Sequence, residues 1–360
     1  MKKAKAKLRP VRLAIIGTGG MARTHAKAFQ AIPGCEIVAI AEPHAERREA
    51  FARDFGVPET FVSTRELLSG AEFEAVSIVT PDAFHAETSI ACLRAGRHVL
   101  CEKPLALNHR DAQRMVRAAR AAGTINMVNL SYRNWPCIHA VAALISRGDI
   151  GEVVHVEASY LQTWLTSTIW GDWHTSPTWL WRLSTRHGSN GVLGDIGVHI
   201  VDFATYPVGR IRKVYAQLKA FPKARGNRIG EYVLDANDSA VLNVEFANGA
   251  LGTIHTTRWA SGHTNRLFLK ISGTKGAVQI DSEHSTETFR ICAGTDLDAV
   301  RWMEVKAPPT PHIYERFITS IRAGYQDQPD FVRGAEVQQV LDACFASSAA
   351  DQPVRLRAAR

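Results

Sequence analysis

The chain has 360 residues, 46% hydrophobic and 22% charged, an ordinary globular composition that excludes a disordered or fibrous protein. That length exceeds the ~250–300 residues at which a single core stops growing, so two domains are expected. The net charge of +8 sits mostly in a tail, because residues 1–12 carry Lys2, Lys3, Lys5, Lys7, Arg9 and Arg12 and no acid. Residues 1–10 are therefore expected to form a basic, disordered tail; no zinc-finger, RNP or basic-zipper pattern points to nucleic acid. The apolar run after the tail is too short for a secretory signal, and no run reaches the ~18 apolar residues of a membrane span. Six cysteines without a C-x-x-C pair read as reduced thiols of a cytoplasmic protein.

In chain order, short apolar runs occur at 11–16, 35–41, 75–79, 98–101 and 125–129. Helical patterns lie between them. Over 109–122, Ala112, Met115, Val116 and Ala119 mark one apolar face, with Asn108 as N-cap and Gly123 as stop. Buried strands alternating with helices predict a parallel sheet with helices on both faces. After about residue 150 longer strands follow, at 151–161, 213–221, 239–246, 251–259, 266–272 and 278–281, with an Asn248-Gly249 hairpin turn between two of them. The fold expected is α/β, with a first domain over 11–133 and a second over 134–360 built on a mostly antiparallel sheet with a few helices.

The first strand ends in Gly17-Thr18-Gly19-Gly20-Met21-Ala22, a G-x-G-x-x-A loop that opens a helix. Gly17 permits a tight turn, Gly19 and Gly20 let a pyrophosphate approach the backbone, and Ala22 allows close helix–strand packing. The helix N-terminus adds N–H groups and partial positive charge. Glu42 ends the second strand, where a carboxylate can hold the adenosine ribose and repel a 2′-phosphate, so NAD is expected over NADP.

His98–Pro104 reads HVLCEKP and places Glu102 and Lys103 at the C-terminal end of a buried strand, where open α/β sheets bind ligands. Further on, GDIGVHIVD (194–202) sets Asp195 and His199 four apart on one helix face, an imidazole with a carboxylate to orient it. Asp195, His199 and Asp202 are also metal-ligand types, yet they have no H-E-x-x-H or cysteine companion, and no metal is expected.

The GTGGMA loop, Val79–His85 (VTPDAFH), CEKP and GDIGVHIVD, in this order, resemble the Gfo/Idh/MocA family of oxidoreductases. The resemblance implies that Lys103, Asp195 and His199 are catalytic, that Glu102 lies near the nicotinamide ribose, and that Thr80, Pro81 and His85 run beside the cofactor. It also implies that 11–133 form a dinucleotide-binding Rossmann domain and 134–360 a substrate-binding and oligomerisation domain with an open sheet, through which a homodimer or homotetramer is built. Asp82 stands where the family often has asparagine.

Five tryptophans fall within 164–181, a candidate aromatic wall for the C–H faces of a sugar. Trp164, Trp173, Trp181, Arg133 and Arg182 are the candidate substrate contacts. The function expected is hydride transfer between NAD and a secondary alcohol of a sugar, sugar derivative or cyclitol. His199 is read as base and Lys103 as donor to the reacting oxygen, or as the base in its place. A glycosidase using NAD for transient oxidation, and a non-catalytic regulator, are the alternative readings.

Overall fold

The computed structural model describes residues 9–357. Most of the expected tail lies outside them, but Arg9 does not hang free. Its guanidinium pairs with Glu74 at 2.6 Å and its carbonyl accepts from Arg322 Nε at 3.2 Å.

The chain divides into two compact units: residues up to Leu130 with Pro311–Gln338, and Ser131–Thr310 with the residues from Gln339 on. This differs from the expected division at 133/134, which left the whole C-terminal part in the second domain.

The first unit alternates β1 (Val11–Ile16), α1 (Gly20–Gln30), β2 (Cys35–Ala41), α2 (Ala45–Phe55), β3 (Glu59–Phe61), α3 (Thr64–Gly70), β4 (Ala75–Ile78), α4 (His85–Arg94), β5 (His98–Cys101), α5 (His109–Ala122) and β6 (Asn126–Val128). The strands are parallel in the order β3-β2-β1-β4-β5-β6, as in a dinucleotide-binding Rossmann sheet. Their near-continuous apolar runs follow from helices covering both faces. α5 keeps its predicted ends: the Asn108 side chain accepts from the Asp111 N–H at 2.9 Å, and Gly123 stops the helix at φ +63°.

The second unit holds α6 (Pro136–Arg147), β7 (Val153–Gln162), α7 (Pro177–Leu180), α8 (Val198–Val208), β8 (Ile211–Lys219), the short pair β9 (Arg228–Ile229) and β10 (Tyr232–Val233), β11 (Ser239–Phe246), β12 (Leu251–Thr257), β13 (Asn265–Gly273), β14 (Gly276–Asp281), β15 (Thr288–Ala293) and β16 (Met303–Lys306). With β17 (Val354–Arg355) they build a nine-stranded sheet ordered β16-β15-β14-β13-β7-β12-β11-β8-β17. All its pairs are antiparallel except β7 with β12. The Asn248-Gly249 turn joins β11 to β12 as predicted, with Gly249 at φ +92°.

α9 (Ile313–Ala323) belongs to the first unit, and α10 (Phe331–Ala350) begins in it. Tyr314, Phe317, Ile318 and Ile321 of α9 join the core of β1, β2 and α1, and the Phe29 ring meets the Tyr314 ring at 5.2 Å. Among the described residues no helix is long and apolar enough to cross a membrane, and no group of three or more His, Cys, Asp or Glu is placed to hold a metal. All six cysteines are buried and unpaired.

Candidate active site

The turn after β1 is set by Gly17, at φ +90°, where a Cβ would lie 2.6 Å from the Val79 carbonyl oxygen. Only glycine fits there. Gly19 and Gly20 face open space, with nothing within 4 Å of a built Cβ. α1 starts at Gly20 with no side chain capping it and no acid in its first turn, so its N–H groups and partial positive charge are not satisfied by the protein's own side chains. Glu42 is buried and grips this loop: one oxygen accepts from the Thr18 N–H at 3.1 Å and hydroxyl at 3.0 Å, the other from the His44 N–H at 3.1 Å. The Thr80 hydroxyl is buried without a hydrogen-bond partner. A cradle of bare glycine backbone, an open helix N-terminus and an anchored carboxylate fit a dinucleotide whose phosphates lie over the glycines.

Glu102 and Lys103 directly follow β5, before a cis Lys103–Pro104 bond. Glu102 sits in a buried network that sequence reasoning missed. Its Oε1 is 2.8 Å from His25 Nε2 and accepts from Asn129, while His25 Nδ1 is 2.8 Å from the Ser77 hydroxyl. Asn129 also donates to the Tyr314 hydroxyl at 3.2 Å. Burial alone pushes the Glu102 carboxyl up, but His25, the Lys103 charge and Asn129 outweigh it and hold it at about 2. Glu102 is therefore a permanent anion beside Lys103, and its own Oε2 accepts from the Lys103 N–H at 3.1 Å.

His85 is held at both ring nitrogens. Its Nδ1–H donates to the Pro104 carbonyl at 2.8 Å and its Nε2–H to the Thr80 carbonyl at 2.9 Å. Two carbonyl acceptors require the doubly protonated ring. Burial opposes that charge, but Cys101, Asp82 and the Pro104 carbonyl prevail and push the imidazole up to about 10. With both nitrogens occupied, His85 clamps the Thr80 and Pro104 segments together and has no nitrogen left for a cofactor.

In the second unit, Asp195 lies in a π-helical turn, Leu193–Gly197, that runs into α8, and His199 lies in the first turn of α8. The predicted α-helical spacing is thus widened at Asp195, a distortion frequent at functional sites. Glycine makes it possible: a Cβ on Gly194 would come within 2.4 Å of Asn190. Asn237 supports the turn, its carbonyl accepting from the Val192 N–H at 2.7 Å and its side chain from the Leu193 N–H at 3.0 Å. His199 is 7% exposed. Its ring lies edge-on to Tyr132 at 4.7 Å and 6.4 Å from the ring of Tyr160, and the two tyrosine hydroxyls bond to each other. Burial and the nearby Tyr132 and Asp195 push the Tyr160 phenol well above its usual range. Asp195 accepts from Arg258 Nη2 at 3.0 Å and lies 3.7 Å from Arg182 Nε.

The substrate candidates separate. Arg133 is buried in a two-fold ion pair with Asp202 (2.6 and 2.8 Å) and stacks on Tyr206, so it is a packing residue and not a substrate contact. Trp164 and Trp173 are withdrawn into a small core with Leu165, Leu180, Leu183 and Leu234, which removes them from a substrate wall. Trp181, 37% exposed, and Arg182, whose guanidinium stacks over it at 4.6 Å, stay accessible.

Residues 11–130 match the profile of an oxidoreductase family with an NAD-binding Rossmann fold, and residues 138–279 match the C-terminal domain of the same GFO/IDH/MocA family. The chain is 28% identical over 379 aligned positions to a levoglucosan dehydrogenase of Pseudarthrobacter phenanthrenivorans, covering 93% of this chain and 95% of the relative. It is 30% identical over 270 positions to a 1,5-anhydro-D-fructose reductase of Ensifer adhaerens, covering 74% of each. A solved levoglucosan dehydrogenase in complex with NADH and L-sorbose superposes with a TM-score of 0.86 at 28% identity, over 97% of this chain and 100% of that one. Fold, cofactor loop and these matches agree: the chain belongs to the Gfo/Idh/MocA family of NAD-binding oxidoreductases.

Proposed function

We propose that this oxidoreductase transfers hydride between NAD and a secondary alcohol of a sugar, anhydrosugar or cyclitol. The observation that carries the reading is a buried imidazole, His199, in the first turn of α8, following a π-turn whose carboxylate, Asp195, is anchored by Arg258. Relatives named as dehydrogenases or reductases of levoglucosan, 1,5-anhydro-D-fructose and myo-inositol support the substrate class.

Bound at the glycine loop, NAD supplies the hydride acceptor. Gly17, Gly19, Gly20 and the first turn of α1, with Met21 and Ala22, hold the pyrophosphate, Glu42 the adenosine ribose, and Thr80, Pro81 and Glu102 the nicotinamide side. The imidazole of His199 takes the hydroxyl proton and returns it in the reverse reaction. Asp195 steadies the imidazolium, and Lys103 Nζ donates to the oxygen on which charge develops. Trp181 and Arg182 receive the sugar, indole against C–H and guanidinium against hydroxyls. A homodimer or homotetramer through the nine-stranded sheet belongs to the same reading, supported by exposed Val241 and Leu251 on one face of β11 and β12.

The test is a panel of free sugars, anhydrosugars and inositols incubated with the protein and NAD, read by NADH absorbance. Net NADH from at least one of them is expected. Tight NAD binding with no NADH from any, and product released from a glycoside without net NADH, would replace this reading with the glycosidase one.

A further inference from the structure

Arg258 directly follows β12, and its side chain is fully buried. Its Nη2 donates to Asp195 Oδ2 at 3.0 Å and its Nη1 to the Arg182 carbonyl at 3.0 Å, and its guanidinium carbon lies 4.9 Å from the centre of the Trp164 ring. Asp238 is near in the chain fold, its carbonyl accepting from the Arg258 N–H at 3.0 Å. Its carboxylate, however, is neutralised by Lys223 at 2.6 Å, and both of those side chains are also fully buried. Among the described residues, Asp195 is the carboxylate within ion-pair distance of Arg258.

We propose that Arg258 is a positioning residue for the reaction: it fixes Asp195 beside His199 as a permanent anion, so that Asp195 sets the charge of the site and never carries the proton. The inference rests on the proposed reaction for its catalytic meaning and on the structure for the rest. A buried guanidinium stays ionised and needs a counter-charge. Protonating Asp195 would remove the carboxylate charge in contact with Arg258 and leave only the more distant Asp238, which is itself paired with Lys223. In the proposed reaction the proton of the substrate hydroxyl therefore goes to the imidazole of His199 and not to Asp195.

The other groups around the pair do not undo this balance. Arg182 lies 3.7 Å from the same Asp195 oxygen and is partly exposed. The Tyr132 and Tyr160 hydroxyls bond to each other, the Tyr160 phenol being pushed up by its burial, and Arg133–Asp202, at the next turn of α8, is a buried ion pair. Removing the Arg258 charge leaves Asp195 as a less compensated anion, and every protonation step of the Asp195–His199 pair moves to higher pH.

This is testable without a substrate. In protein labelled at the histidine ring carbons, the His199 resonance is assigned by its loss in His199→Ala and followed by NMR against pH. Arg258→Met should move the His199 titration up by about half to one pH unit. Arg258→Lys, which keeps the charge and loses the forked geometry, should return it to near the wild-type value. With a substrate found in the panel, Arg258→Lys should lower kcat about tenfold and leave the KM for NAD unchanged. If Arg258→Met does not fold, Arg258→Gln keeps a donor for the Arg182 carbonyl and makes the same charge change. A folded neutral variant in which His199 titrates as in the wild type overturns the proposal, as does a shift that lysine fails to reverse. A panel that yields no NADH overturns the dehydrogenase reading but leaves the titration intact, so the two failures are distinguishable.

Discussion

Replacing His25 by leucine should cost the first unit about 3 kcal/mol at neutral pH. In the wild type the Glu102 carboxylate is held at about 2, against an ordinary value of 4.5. At about 1.4 kcal/mol per pKa unit this corresponds to about 3 kcal/mol. Breaking a buried pair by removing one member costs a similar ~3–5 kcal/mol. The pH dependence gives the sharper check. The folded value lies below the unfolded one, so the contribution is complete above about pH 4.5 and is lost as pH falls toward 2. In His25→Leu burial dominates and Glu102 protonates at higher pH. The gap between the two proteins should thus close to about 1 kcal/mol by pH 3. All eight tryptophans lie in the second unit, so their fluorescence does not report the change. Urea unfolding followed by far-ultraviolet circular dichroism, at pH 7, 5 and 3, reads it instead. A loss below about 1 kcal/mol at pH 7, or a gap that does not narrow on acidification, refutes the account of this network.

Four further outcomes are expected. Gly17→Ala should abolish NAD binding measured by calorimetry, because its Cβ would meet the Val79 carbonyl at 2.6 Å. Glu42→Ser should weaken NAD about ten- to a hundredfold, the worth of a charged hydrogen bond at roughly 1.5–3 kcal/mol, and ease NADP; a wild type that already prefers NADP would contradict the assignment. Arg133→Met should destabilise by about 3–5 kcal/mol by leaving Asp202 buried alone, whereas Arg182→Met should leave the melting temperature nearly unchanged and raise the KM of the sugar. His199→Ala should lower kcat by ~10²–10⁴-fold with little change in NAD affinity, and the rise of kcat/KM with pH expected of the wild type should be absent from the variant.

The parts legible in the sequence are those whose determinants are local. Asn108, the apolar face of 112–119 and Gly123 specify α5 within a dozen residues, and β11 ends where its pattern ends. The G-x-G-x-x-A loop is legible because each glycine answers to its own turn. What was misread depends on partners far along the chain. Arg133 looked available for a substrate because its partner, Asp202, lies 69 residues on. Tryptophan spacing over 164–181 says nothing about which rings turn inward, and Trp164 and Trp173 do. Nothing in the sequence singles out His25, since Glu102, Asn129 and Tyr314 come together around it only in the folded unit. Arg258 did leave a signal: a charge placed straight after an alternating strand, at the edge of a segment that must be buried.

The division of the first unit into two stretches of chain constrains how the protein can be made. Phe29 and His25 pack against Tyr314, yet some 180 residues lie between Leu130 and Pro311. At about 5–20 residues per second, all six strands of the nucleotide-binding sheet are made roughly 10–35 s before α9 emerges to complete their core. During that interval the apolar side of α1 and β1 faces solvent or a chaperone while the central stretch of the second unit is made. Neither unit can close in order of synthesis: the first waits for Pro311–Gln338, and the second for the residues from Gln339 on.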